Sequence, residues 1–216
     1  IVPRSSASAL SCLAIADVKV GTNIVIIRRV EGKSTTTPTS GKVYYRTNGR
    51  GGEIHLSNGS ATPTDYTDWK YLVYIYYIKD KPVTGAAGEP VTGAPDGLYR
   101  KSLTYSSGTL TMKDDGNLVP GFFDIGTVSG LDTDGNGAVD TYVPSVTTAS
   151  GLVGLKMDIL MSSETKDPAY TNGKTYDLGL RTGINDLLNS NYYGRVFSTT
   201  VPLRNTAFRN QMSNIQ

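Results

Sequence analysis

The chain has one cysteine, one histidine and four glutamates among 216 residues. A single Cys cannot close a disulfide framework within the chain, so a core must hold the fold, and 216 residues are enough to bury one. Cys12 is left as a buried thiol or as half of a bridge to a segment or chain outside this sequence. The single histidine, His55, rules out His-rich metal sites and would have to serve any Ser-His-Asp or Cys-His arrangement. No Gly-x-Ser-x-Gly elbow accompanies it, and the plainer reading is an ordinary strand or surface histidine. The formal charge is only +2 and Lys and Arg do not cluster, which excludes a nucleic-acid grip or a polybasic membrane face. No phosphate-cradling glycine loop opens a helix, so nucleotide binding has no support. No apolar run approaches the roughly 18 residues of a spanning helix.

Glutamate, a helix-interior residue, is outnumbered by aspartate, which favours turns and caps, so helix is scarce in the expected fold. Twenty-four Gly and 10 Pro divide the chain into short apolar runs, as antiparallel β-structure requires. Residues 22–30 are β-branched on both faces and predict a central strand. Residues 42–46 and 53–56 read as a hairpin about a Gly-rich turn, and Trp69 to Ile78 is the strongest strand pattern. Residues 98–104 read as its return, 152–161 as a strand with Leu155, Met157 and Ile159 on one face, and 195–203 as the last strand. Residues 177–188 predict a short helix or turn. The expectation is one domain over 1–216 with excursions at 79–97 and 162–192.

The sharpest local pattern is the loop 132–140. Side-chain oxygens at loop positions 1, 3, 5 and 9 fall on Asp132, Asp134, Asn136 and Asp140, with the Ala138 carbonyl at position 7 and Gly137 at the turn. Oxygen-only donors on alternate residues suit Ca²⁺, a hard cation, better than Zn²⁺. An EF-hand ends in a bidentate Glu, where this chain has Val143 in a strand-like Thr-Tyr-Val run. The reading is therefore a hairpin calcium loop with a structural ion, completed by water or by Asp124 or Asp114. An acidic turn without metal is the alternative. The pairs Asp65/Asp68 and Asp114/Asp115 read as turn residues rather than glycosidase carboxylates. The tyrosines of 69–78 read as strand core before a stacking platform.

Leu118-Val-Pro-Gly-Phe-Phe123 followed by Gly130-Leu-Asp-Thr-Asp-Gly-Asn-Gly-Ala-Val-Asp-Thr-Tyr-Val143 resembles the LV-x-GV … DTDGDG-x-VD-x-YV stretch of PilW-type minor pilins of type IV pili. Arg195 to Asn205 resembles the family's closing R-x-F-x-TTV-x-LRN. Val18 to Arg28, Tyr74 to Ile78 with Gly97 to Arg100, and Gly154 to Met161 follow in collinear order, so the likeness spans about 17–205. Three departures stand out: Ser129 where the family has Tyr, Asn136 where it has Asp, and no Trp before the 152–161 strand.

The resemblance implies an α+β pilin-like fold, an antiparallel sheet domain carried by an N-terminal apolar helix. The resemblance further implies that most of this helix is missing from this chain, which opens at Ile1 without an initiator Met. It implies a non-catalytic minor pilin, anchored in the inner membrane of a Gram-negative bacterium and facing the periplasm before joining the extracellular pilus. Its partners are other minor pilins, the major pilin and a tip adhesin, in a priming and tip complex supporting adhesion or twitching motility. The rivals are a J-type pseudopilin of type II secretion, a calcium-dependent carbohydrate-binding adhesin and, last, a hydrolase built on His55.

Overall fold

The computed structural model describes residues 2–3, 10–79, 83–84, 90–91, 97–144, 151–185 and 187–203. In chain order the strands begin with β1 (Val2–Pro3), β2 (Asn23–Thr35), β3 (Val43–Thr47), β4 (Gly52–Leu56) and β5 (Thr67–Lys79). β6 (Val83–Thr84), β7 (Pro90–Val91), β8 (Gly97–Ser106), β9 (Thr109–Pro120) and β10 (Phe122–Leu131) follow. The last are β11 (Thr141–Val143), β12 (Leu152–Ser162), β13 (Tyr176–Leu178), β14 (Arg181–Ile184) and β15 (Gly194–Pro202). Among the described residues the only helical element is a 3-10 turn, Ile15–Asp17, and no helix is long and apolar enough to cross a membrane. The antiparallel part of the α+β expectation is met; its helix has no counterpart among these residues.

The first sheet is organised around β5, whose aromatic and β-branched side chains fit a pleated surface covered on both faces. β2 runs along one edge of β5. The other edge is divided: β3 takes Thr67–Lys70, and β8 takes Tyr74–Lys79. β3 turns into β4 and β8 into β9, so two hairpins hang side by side on one strand. The second sheet has the order β11-β10-β12-β15. The chain passes between the sheets at Gly121, with φ +74°, where a Cβ would lie 2.7 Å from the Ser162 carbonyl oxygen. Only glycine fits that crossing without strain.

Three apolar clusters fix the layers. Val25, Ile78, Phe122 and Ile125 lie between the sheets with Ile159 and Met161 against them. Leu13 and Val18 cover Ile24, Ile75 and Tyr77 on the far face of the first sheet. Leu160 of β12 packs with Tyr176, Leu178, Leu187 and Tyr192 on the far face of the second. Full burial of a side chain such as Leu160 contributes about 1.5–3 kcal/mol.

Several expectations change. The centre of the sheet is β5 rather than residues 22–30: β2 lies between β1 and β5, and among the described residues β1 covers its outer edge at Asn23 and Ile24. Thr22, Ile24 and Val25 are buried, while Ile27 and Val30 are about 40% exposed. Residues 177–188 contain the β13–β14 hairpin, because Gly179 and Gly183 adopt positive φ angles and break a helical path. The hairpin is pinned by Arg181 Nη2 donating to Asp124 Oδ1 at 2.9 Å and by the Gly179 N–H donating to Asp158 Oδ2 at 2.7 Å. Asp114 and Asp115 belong to β9 rather than to a turn; the turn-like Gly116, φ +85°, sits where the β8–β9 register slips at a bulge. Asp68 likewise lies inside β5. Of the 79–97 excursion only Lys79, β6, β7 and Gly97 fall within the described residues.

Candidate functional site

The loop joins β10 to β11. Leu131 pairs with Thr141, and the Asp140 N–H donates to the Leu131 carbonyl at 2.8 Å, so the strands fix both ends of residues 132–140. A second tie comes from the Asp132 N–H, which donates to the Gly151 carbonyl at 2.7 Å. Inside the loop, Asp132 accepts from the Gly135 N–H at Oδ1 (2.6 Å) and from the Gly137 N–H at Oδ2 (2.8 Å). Asp134 Oδ1 accepts from the Asn136 N–H at 3.0 Å, and Asn136 Oδ1 from the Ala138 N–H at 2.7 Å. Asp140 Oδ2 accepts from the Thr133 N–H and hydroxyl at 2.7 and 2.8 Å. These local turns wind the chain round its own carboxylates.

One carboxylate oxygen each of Asp132, Asp134 and Asp140 falls within a 4.8 Å cluster. Asp132 is buried and the other two are exposed. Burial pushes the Asp132 carboxyl up, but hydrogen bonds from the Gly137 and Gly135 N–H groups, with smaller contributions from Asp134 and Asn136, together hold it below the usual carboxylate range. The Thr133 N–H and hydroxyl lower Asp140 in the same way. Three carboxylates with an adjacent amide carbonyl offer hard oxygen donors and no sulfur or nitrogen ligand. Val143 lies in β11 opposite Ser129, so no twelfth-position carboxylate follows.

Asp124 and Asp114 do not complete this set. Asp124 sits near the opposite end of β10, buried and engaged by Arg181, while Asp114 lies in the first sheet opposite Lys101. The structure also places His55 away from the loop, with Nε2 3.1 Å from Asp68 Oδ1. Fully buried Asp68 receives Arg46 Nε and Nη2 at 2.9 and 2.8 Å and the Thr62 hydroxyl at 2.7 Å. Burial raises its pKa, but hydrogen bonds from Arg46, Thr62 and His55 bring it down to about 2. The cluster clamps the β3–β4 hairpin to β5. Asp65 stays in the preceding turn. Cys12 is a half-buried free thiol packed against the cluster of Leu13, Val18, Ile24, Ile75 and Tyr77. Among the tyrosines of β5, Tyr77 is buried and Tyr71, Tyr74 and Tyr76 are half-buried.

Reading the sequence missed an apolar cleft of about 450 Å³ between the sheets. Val25 and Ile27 of β2 face Leu155 and Met157 of β12 across it, with Val201 and Leu203 along one side. The period-2 pattern of Leu155, Met157 and Ile159 was the available signal. It marks one apolar face, but only Ile159 is covered by the first sheet, and Leu155 and Met157 are left to line the opening. The calcium-type loop adjoins the same region, since Pro144 after β11 and Ser129 on β10 also line the cleft.

No curated protein and no solved structure matches the chain. The model of the type IV pilus-assembly protein W family matches residues 75–205, from the middle of β5 past the end of β15 and including the whole loop. The Val18 to Arg28 likeness lies outside that match. The chain belongs to the type IV pilus-assembly protein W family and is a component of type IV pilus assembly.

Proposed function

We propose that these residues are the globular part of a minor pilin, which joins other minor pilins and the major pilin in the complex that primes the pilus and caps its tip. The observation that carries this reading is the apolar cleft between the sheets. A groove floored by Leu155 and Met157 and walled by Val25 and Ile27 suits the apolar face of a helix. The N-terminal pilin helix is the proposed occupant, anchoring the protein in the inner membrane before assembly and lying in the filament afterwards. The domain then acts through surface complementarity on the periplasmic side and on the extracellular pilus, supporting adhesion or twitching motility.

The loop 132–140 is proposed to hold a structural Ca²⁺ through Asp132, Asp134, Asn136 and Asp140, with the Ala138 carbonyl and water completing the shell. Its support is the oxygen cluster within 4.8 Å and the backbone N–H groups that orient Asp132. The bound ion fixes β11 against β10 and steadies the cleft wall at Pro144. The test of the pilin reading is complementation of a deletion strain with the full-length protein. Wild type restores surface pili seen by electron microscopy, whereas Leu155→Asp/Met157→Asp does not. Normal piliation in the deletion strain itself would refute a role in assembly, and full rescue by the double variant would refute the helix seat.

A further inference from the structure

The free edges of the two sheets differ in a way that marks one of them. β4 is five residues long and carries Glu53. β9 presents Lys113, Asp114 and Asp115 and is interrupted by bulges. On the β2 side the edge is β1, two residues long, and beyond it β2 carries Arg28, Arg29, Glu31 and Lys33 and slips register between Val30 and Ser34. β11 is three residues long. Shortness, charge and bulges are the devices that stop a sheet edge from pairing with another chain.

β15 is nine residues long, without a bulge and almost without charge. It pairs with β12 from Ser162↔Gly194 to Gly154↔Pro202 without a register shift, and among the described residues no strand occupies its other side. Arg195, at one end, is its only charged residue, and its only proline is the last residue. Phe197 and Val201, 47% and 39% exposed, project from the same face, four residues apart about Thr199. An unpaired edge of this kind displays alternating N–H and C=O groups, and what satisfies them is another extended backbone.

We propose that β15 pairs with β15 of a second copy of this chain, antiparallel about a two-fold axis at Thr199. This alignment puts each Phe197 directly opposite the partner's Val201 and Thr199 opposite its own equivalent, both favourable cross-strand neighbours. It also keeps the two Arg195 side chains at opposite ends, so no like charges meet. The contact is isologous and closes at two copies. The two second sheets become one continuous sheet, and the two apolar clefts, each edged by Val201, open on the same extended face. The contact shares Val201 with the cleft wall but requires neither a helix seated there nor bound calcium.

Sedimentation velocity over about 10 μM to 1 mM tests it, since an edge contact of this size belongs to the weak class of interfaces. The weight-average mass of the wild type rises toward two chains, and amide exchange across 195–201 slows with concentration. Thr199→Lys and Thr199→Glu each place like charges face to face and remain monomeric, with melting temperatures unchanged. An equimolar mixture of the two dimerises again. A wild type that stays at one chain throughout overturns the proposal, as does a Thr199→Lys variant that dimerises as well as wild type, or a mixture that fails to recover.

Discussion

Asp68→Asn changes one atom type inside β5 and tests whether charge holds the β3–β4 hairpin in place. The carboxylate is fully buried yet its pKa falls from 3.8 to about 2, because Arg46, Thr62 and His55 all donate to it. At about 1.4 kcal/mol per pH unit, that difference corresponds to roughly 2.5 kcal/mol of folding free energy. The folded pKa is depressed, so the contribution is complete above the unfolded value of 3.8 and is lost as pH falls toward 2. Asparagine keeps the shape but not the charge, and Arg46, 19% exposed, can turn to water. For a chain of this size the cost at pH 7 is a melting temperature lower by about 5–10 °C. Melts of wild type and variant followed by circular dichroism from pH 7 to pH 2 report it directly. Other carboxylates titrate alike in both proteins, so the gap between the two curves isolates Asp68, narrows below about pH 4 and closes only near pH 2. A gap that stays constant with pH, or no gap at neutral pH, would show that the ion pair is not what stabilises the clamp.

Calcium raises the melting temperature of the wild type and leaves Asp132→Ala/Asp134→Ala unmoved, with calorimetric binding lost in the variant. Because Asp132 and Asp140 are both held below the usual carboxylate range, that calcium effect persists at mildly acid pH; its disappearance near pH 5 would contradict the site. Leu160→Ala empties a fully buried position beneath the 162–192 excursion and lowers stability by about 2–5 kcal/mol in chemical denaturation. Gly126→Ala drives a Cβ to within 2.6 Å of the Leu178 carbonyl oxygen, so it destabilises by about 1–3 kcal/mol and exposes the β13–β14 hairpin to protease.

Strong patterns carried most of the fold in advance. The unbroken aromatic and β-branched run of 69–78 can only be a strand, and it proves to be the one that pairs with β2, β3 and β8. The loop 132–140 was legible because its side-chain oxygens fall on alternate residues, and three of its carboxylates do converge. β9 and β10 were hidden, since Asp114, Asp115 and Gly116 look like a turn when the bulge that accommodates them is unknown. Gly126 and Gly130 in β10 look like breaks until Leu178 and Val139 are seen packed against them. Asp68 looks like turn chemistry in the sequence because its partners Arg46 and His55 come from the β3–β4 hairpin and Thr62 from the segment leading into β5, neighbours that only the fold brings together. The cleft was illegible for a related reason: one apolar face gives the same pattern whether it is fully or partly covered.

The division of one edge of β5 between two hairpins has a consequence for how the protein opens. β3 holds β5 only across Thr67–Lys70, with the Asp68 clamp beside it, while β8 holds Tyr74–Lys79 over the deepest part of the core. No register continuity links the hairpins, so β3–β4 can detach without unzipping β8–β9. Native-state amide exchange then separates into two classes within one sheet: Val43–Leu56 exchanges through a low-energy local opening that acid accelerates as Asp68 is neutralised, and Tyr74–Lys79 exchanges only on global unfolding. One strand thus belongs at its two ends to two cooperative units of different stability.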